Sequence, residues 1–259
     1  MIKNSFLEKT QQGQKTIGMF FEMGNANVAE ALSFTGLDYF IVDTEHGPFD
    51  VESTINILRA AELHDCTVFA RVKDSSRPSI LKMLDIGVKG LIIPQVHSLE
   101  EIKKIVEYGK YYPTGQRGVA FARGAGYGQA EHAKNKDIND YFSECNKHFL
   151  LIPQCETIGC LNEIEEIAQT KGVDGIFIGP YDLSVSMGIP TQFDRPEFKA
   201  ALKRILNAVK KAGKFCIIYA GNVQIGRERL SQGYDSITLA EDVGWYIKAI
   251  QNVVKQVKE

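Results

Sequence analysis

Glu156 and Asp182 are the sharpest candidates for chemistry in this chain. Each follows a short apolar run, and the two runs are consecutive strand candidates. Neighbouring strands lie about 4.8 Å apart, so the two carboxylates would face each other at close range. Such a pair repels unless something positive sits between them. A divalent cation with oxygen ligands would supply that charge, because Mg2+ is commonly held by two carboxylates plus substrate oxygens and waters, and Mn2+ accepts the same ligands. The competing reading is structural: Asp182 opens a helical pattern and could cap it. Arg71 directly follows the run 67–70, where a guanidinium could stabilise charge developing on an oxygen or simply pair with a carboxylate. His46 shares one short turn with Asp43 and Glu45, a favourable setting for proton transfer, although a histidine is more often structural. The segment Gly179-Pro180-Tyr181-Asp182-Leu183 passes from strand to helix, where backbone N–H groups can receive an anion such as a substrate carboxylate. Lys73 is the nearest lysine to a strand end, two residues past Arg71, which disfavours imine chemistry.

These residues need a frame that gathers strand ends. The runs 16–21, 39–42, 67–70, 90–93, 149–153, 175–178, 215–219 and 236–239 read as strands, most of them continuously apolar as in parallel sheets buried on both faces. Amphipathic stretches intervene, among them 51–63, 100–108, 198–212 and 243–257. Strand and helix alternating eight times predicts an α/β fold, a single (β/α)8 TIM-type barrel over residues 1–259, with an open doubly wound sheet as runner-up. The connection 111–147 is long and glycine-rich, carries Arg117 and Arg123, and could hold a helix near 130–141. In such a barrel the active site lies at the C-terminal strand ends. Polar and ionisable groups crowd that rim, within Asp43 to His46, at Arg71 and Gln95, within Gln154 to Glu156, and within Gly179 to Asp182. A barrel has no structural need for such a rim, so the pattern points to an enzyme.

The 259 residues are 44% hydrophobic and 24% charged, enough for a large core. A formal charge of −2 offers no basic stripe for nucleic acid and no polybasic membrane patch. No run reaches the length of a membrane span, and residues 1–15 lack the apolar core of a signal peptide. The five cysteines form no CxxC pair. A reducing, cytoplasmic location is expected. Neither a glycine-rich dinucleotide motif nor a P-loop is present, so nucleotide cofactors are not indicated.

Several segments, in order, resemble the HpcH/HpaI aldolase family of the phosphoenolpyruvate/pyruvate barrel superfamily. They are Gly36-Leu37-Asp38-Tyr39 leading into Val42-Asp43-Thr44-Glu45-His46-Gly47-Pro48, then Ala70-Arg71-Val72, Leu84-Asp85-Ile86-Gly87, Tyr112-Pro113-Thr114-Gly115-Gln116-Arg117-Gly118, Gln154-Cys155-Glu156-Thr157, and 172–184 with Gly179-Pro180-Tyr181-Asp182. The resemblance runs from Gly18 to about Trp245. It implies a class II aldolase that makes or cleaves 4-hydroxy-2-oxo acids through a pyruvate enolate, using Mg2+, Mn2+ or Co2+. It also implies that Glu156 and Asp182 hold the metal with Gln154 beside it, that Arg71 contacts the keto or enolate oxygen, that the 179–182 turn binds substrate, and that His46 takes part in proton transfer. Asp85 matches a carboxylate paired with that histidine. On sequence grounds Asp85 ends a helix at the barrel bottom and would reach a site only by a bent helix end or from a neighbouring subunit, while Asp43 is the nearer partner. The resemblance further implies a homohexamer of dimers that exchange their last helix. Tyr181 stands where a small residue is common, Tyr112 where a second proline is common, and Cys155 where an aliphatic residue is common. Three alternatives stay open. One is a related lyase on an acyl-CoA, for which Arg123 and Lys134 are the loose candidates. The others are a decarboxylase with the same enolate chemistry and a silent oxo-acid-binding barrel.

Overall fold

The computed structural model describes residues 2–64 and 66–259. Eight parallel strands close into a barrel in sequence order: β1 (Thr16–Phe21), β2 (Tyr39–Asp43), β3 (Thr67–Arg71), β4 (Gly90–Ile93), β5 (Leu150–Cys155), β6 (Gly175–Ile178), β7 (Phe215–Ala220) and β8 (Ser236–Glu241). The helices around them are α1 (Ser5–Gln11), α2 (Ala26–Ser33), α3 (Val51–Glu62), α4 (Arg77–Ile86), α5 (Leu99–Gly109), α6 (Ile138–His148), α7 (Ile158–Asn162), α8 (Ile164–Gln169), α9 (Pro180–Ser186), α10 (Pro196–Lys211), α11 (Val223–Ser231) and α12 (Asp242–Lys258). The expected (β/α)8 barrel is therefore the fold. The helix anticipated near 130–141 lies later, as α6, because Asp137 accepts a hydrogen bond from the Asn139 N–H and starts the helix there. A 3-10 turn at Arg123–Gly128 occupies the earlier part of that connection.

Two apolar layers make the core. Outward-facing strand residues pack against the helices, and inward-facing Phe20, Ile41, Phe69, Ile92, Ile152, Phe177 and Ile217 fill the barrel. The floor is closed by α1, whose Phe6 is fully buried and meets Tyr39, Phe69 and Phe215 edge-on with ring centres 4.9–5.2 Å apart. The Tyr39 ring lies where a side chain on Gly18 would stand, so β1 needs glycine there. The opposite end, where all eight strands terminate, is left for polar groups. Between β1 and β8 the pairing slips: Gly18 faces Thr238 but Phe20 faces Glu241. The extra residue on β8 is accommodated by Ala240, whose φ is 53°. This bulge changes the direction in which Glu241 leaves the strand.

Candidate active site

The β2 and β3 ends are locked together first. Asp43 and Arg71 are register partners, and Arg71 donates to Asp43 twice, Nε to Oδ1 at 2.9 Å and Nη2 to Oδ2 at 2.6 Å. Burial alone would push the Asp43 carboxyl up, but the Arg71 fork and the N–H groups of Glu45 and His46 outweigh it and hold it below the usual carboxylate range. The guanidinium carbon sits 4.6 Å above the centre of the Phe20 ring, and Nε lies 3.3 Å from Glu45. Arg71 is thus oriented on three sides. Asp43 is the carboxylate expected beside His46. Its side chain reaches His46 only through the backbone N–H and otherwise positions Arg71.

Glu156 follows β5 and is buried. Its Oε1 accepts from the Gln95 backbone N–H at 2.7 Å and from the Gln95 side chain at 3.2 Å, while Oε2 accepts from Gln154 Nε2. Burial, opposed by the Gln95 N–H and reinforced by the charges of Asp182 and Glu45, raises the Glu156 carboxyl to about 7. Glu45 is likewise raised, by burial first, with Arg71 opposing and Asp43 and Asp182 adding repulsion. Asp182, in the first turn of α9, is exposed at the mouth. Four carboxylates therefore share one arginine. Gly179 permits this crowding, since a Cβ there would lie 2.7 Å from both Gln154 Nε2 and Glu156 Oε2. The α9 turn offers the N–H groups of Tyr181 and Asp182, which precede any intrahelical acceptor, whereas Pro180 has none.

The donor set fits a hard divalent cation. Glu156 is desolvated among like charges, and Gln154 Oε1 is buried without a hydrogen-bond partner. Among the described residues no group of three His, Cys, Asp or Glu side chains is arranged to hold a metal, so two carboxylates and an amide oxygen are what the protein itself would provide.

His46 is on the rim with its side chain 71% exposed, and Nε2 lies 4.0 Å from Glu45. Asp85 does not join it. It sits near the end of α4 and pairs with the buried Arg117 at 2.9 Å. The sequence reading named Glu45 and Gln95 as rim residues but gave neither a role. Their signal was position alone, at the ends of β2 and β4. Gln95 additionally has φ of 51°, an unusual backbone state for a side-chain-bearing residue that aims its N–H at Glu156.

Residues 16–249 match the HpcH/HpaI aldolase/citrate lyase family model. The chain is 29% identical over 252 residues to 2-keto-3-deoxy-L-rhamnonate aldolase of Escherichia coli, covering 96% of this chain and 91% of that protein. It superposes on an HpcH/HpaI family protein from Burkholderia cenocepacia with a TM-score of 0.90 at 29% identity, covering 99% of this chain and 100% of the other. It is also similar to the citrate synthase SbnG, with a TM-score of 0.87, 26% identity and coverage of 99% and 98%. The chain belongs to the HpcH/HpaI aldolase/citrate lyase family and is a carbon–carbon lyase built on a (β/α)8 barrel.

Proposed function

We propose that the protein is a divalent-metal-dependent aldolase that cleaves or forms 4-hydroxy-2-oxo acids, with pyruvate as the common product or donor. The observation that carries this reading is the convergence of Glu156, Asp182 and Gln154 with the fixed guanidinium of Arg71 on one rim. Glu156, Asp182 and Gln154 would hold Mg2+, Mn2+ or Co2+. When bound, the cation supplies positive charge that polarises the 2-oxo group. The chain's own residues do the rest. The N–H groups of Tyr181 and Asp182 receive the substrate carboxylate. Arg71, held by Asp43, donates to the oxygen that becomes the enolate oxygen. In cleavage, a base assisted by His46 takes the proton of the 4-hydroxyl. The bond between carbons three and four breaks, its electron pair passes to the enolate, and the aldehyde leaves. Return of a proton to carbon three gives pyruvate.

His46 is too exposed to be oriented by its own chain, and Asp85 lies on another face, so completion of the proton path by a neighbouring subunit belongs to this proposal. The exposed apolar residues Tyr246, Ile247, Ile250, Val253 and Val254 on α12 support an oligomer, for which a hexamer is expected. The five buried free cysteines support a cytoplasmic setting. No described helix is long and apolar enough to cross a membrane. The test is pyruvate release from a panel of 4-hydroxy-2-oxo acids with Mg2+, Mn2+ and Co2+. Chelation, Glu156→Ala and Asp182→Ala should each abolish turnover. Full activity in excess chelator would remove the metal from the mechanism.

A further inference from the structure

The half of the rim beyond Arg71 is of one electrical sign. Residues 21–28, 179–188, 220–226 and 241–247, which follow β1, β6, β7 and β8, contain Glu22, Asp182, Glu241 and Asp242 but no lysine, arginine or histidine. Asp242 is consumed locally, its carboxylate accepting from the N–H groups of Glu22, Met23 and Val243. Glu22 and Glu241 are not tied down in this way.

Glu241 belongs to a continuous wall that starts at the site, and Glu22 stands close to it. Arg71 lies on Phe20, and Phe20 meets the Tyr219 ring at 6.2 Å. Tyr219 in turn meets Tyr181 edge-on at 5.8 Å and donates its hydroxyl to Glu241 at 2.8 Å. The Ala240 bulge sets Glu241 opposite Phe20 and so directs it to this wall. Glu22, at the end of β1, lies within the fields of Glu241, Asp43 and Arg71. The wall is aromatic at its base and carries two carboxylates and tyrosine hydroxyls above. It adjoins the place where the pyruvate part would react, which makes it the side that the aldehyde part must occupy.

We propose that Glu22 and Glu241 set acceptor specificity by charge, admitting uncharged, hydroxylated aldehydes and rejecting aldehydes that carry a carboxylate. This rests on the aldolase reading above. A carboxylate placed on the wall meets two like charges with no cation on those strand ends to offset them, whereas a hydroxyl finds acceptors in both glutamates. Tyr181 and Tyr219 supply the apolar base against which the aldehyde carbons lie.

The test compares succinic semialdehyde with its methyl ester as acceptors for pyruvate, two molecules that share a reacting end and differ in one charge. The parent should favour the ester in kcat/KM by about a hundredfold, the scale of close like-charge repulsion. The double variant E22Q/E241Q should bring that ratio within about tenfold, and the single variants E22Q and E241Q should each narrow it. The internal ratio makes a general loss of activity irrelevant, and glutamine keeps the acceptor for Tyr219. Deuterium exchange into the methyl group of pyruvate, without aldehyde, reports enolate chemistry alone. Exchange together with equal use of the two acceptors, or a ratio unchanged in all three variants, overturns the charge proposal and leaves the aldolase reading intact. Neither exchange nor condensation in the parent overturns both.

Discussion

Replacing Arg71 by lysine separates charge from geometry. Arginine makes two donations to Asp43, at 2.9 and 2.6 Å, and its guanidinium carbon lies over the Phe20 ring. A lysine ammonium keeps the charge but cannot span both carboxylate oxygens with the planar fork. One charge-assisted hydrogen bond is lost from an Asp43 side chain that has 0% exposure, at a cost of about 1.5–3 kcal/mol. A domain of this kind has about 5–15 kcal/mol in hand, so the variant should remain folded, with a lower urea midpoint. If Arg71 donates to the enolate oxygen as proposed, the same misplacement removes that fixed donor, which typically costs about 10²-fold or more in kcat. At 1.36 kcal/mol per decade that is roughly 2.7 kcal/mol, matching the upper part of the hydrogen-bond range. The measurement is kcat and KM for pyruvate release beside urea unfolding of the same sample. Asp43→Asn should lower kcat in the same direction, because it loosens Arg71 without removing it. A folded Arg71→Lys protein with kcat within about threefold of the parent would mean that Arg71 only holds strands together, since a lost donor should cost far more.

Glu156 makes the chelator-treated protein sensitive to pH. Its carboxyl is raised from 4.5 to about 7, so the folded state keeps a proton that the unfolded chain has released, and stability falls as pH rises from about 4.5 to about 7, by roughly 3 kcal/mol. Thermal melts should show this decline, and Mn2+ should raise the midpoint more at pH 8 than at pH 5; a flat profile in chelator would contradict the desolvated carboxylate. Gly179→Ala places a methyl 2.7 Å from Glu156 Oε2 and Gln154 Nε2, and calorimetry should find Mn2+ affinity reduced by about 10–100-fold; unchanged affinity would place the cation elsewhere. Tyr181 is held by edge contacts to Phe193 at 5.1 Å and Tyr219 at 5.8 Å, so Tyr181→Ala should widen the range of acceptor aldehydes while Tyr181→Phe behaves like the parent. If Phe alone lowers affinity for the preferred acceptor by about 1 kcal/mol, the hydroxyl is a ligand and space-filling is not its role.

The barrel was readable because its strands are buried on both faces. Tyr39 to Asp43 is buried throughout, and so are the four residues from Gly90 to Ile93. Five strands run further at their C-terminal ends than hydropathy indicates, to Asp43, Arg71, Cys155, Ala220 and Glu241, while β5 also starts one residue later, at Leu150. At β2, β3 and β5 hydropathy stops at a polar residue, Asp43, Arg71 or Gln154, while the backbone ladder continues past it, so the hidden positions include site residues. The floor was not legible. Phe6 is one aromatic in a polar opening segment, and only the closed barrel reveals that it is a plug. Glu45 and Gln95 were visible as rim residues but not as ligands of Arg71 and Glu156, because those bonds join different strand ends. Asp85 illustrates what one chain cannot display. A motif match assigned it to His46, while within this chain Arg117 holds it on another face.

The sealed floor has an electrical consequence. With Phe6 beneath the barrel and Phe20 and Phe177 filling its waist, water reaches the rim carboxylates only from above. A low-dielectric body does not dissipate their field downward, so the field lines leave through the mouth. Glu22, Glu45, Glu156, Asp182 and Glu241 then project a negative potential along the barrel axis, offset locally by Arg71. On the aldolase reading proposed above, a divalent cation would be drawn down that axis, and an oxo acid, itself an anion, would be held off until one has arrived. The shape of the dielectric would then set the loading order.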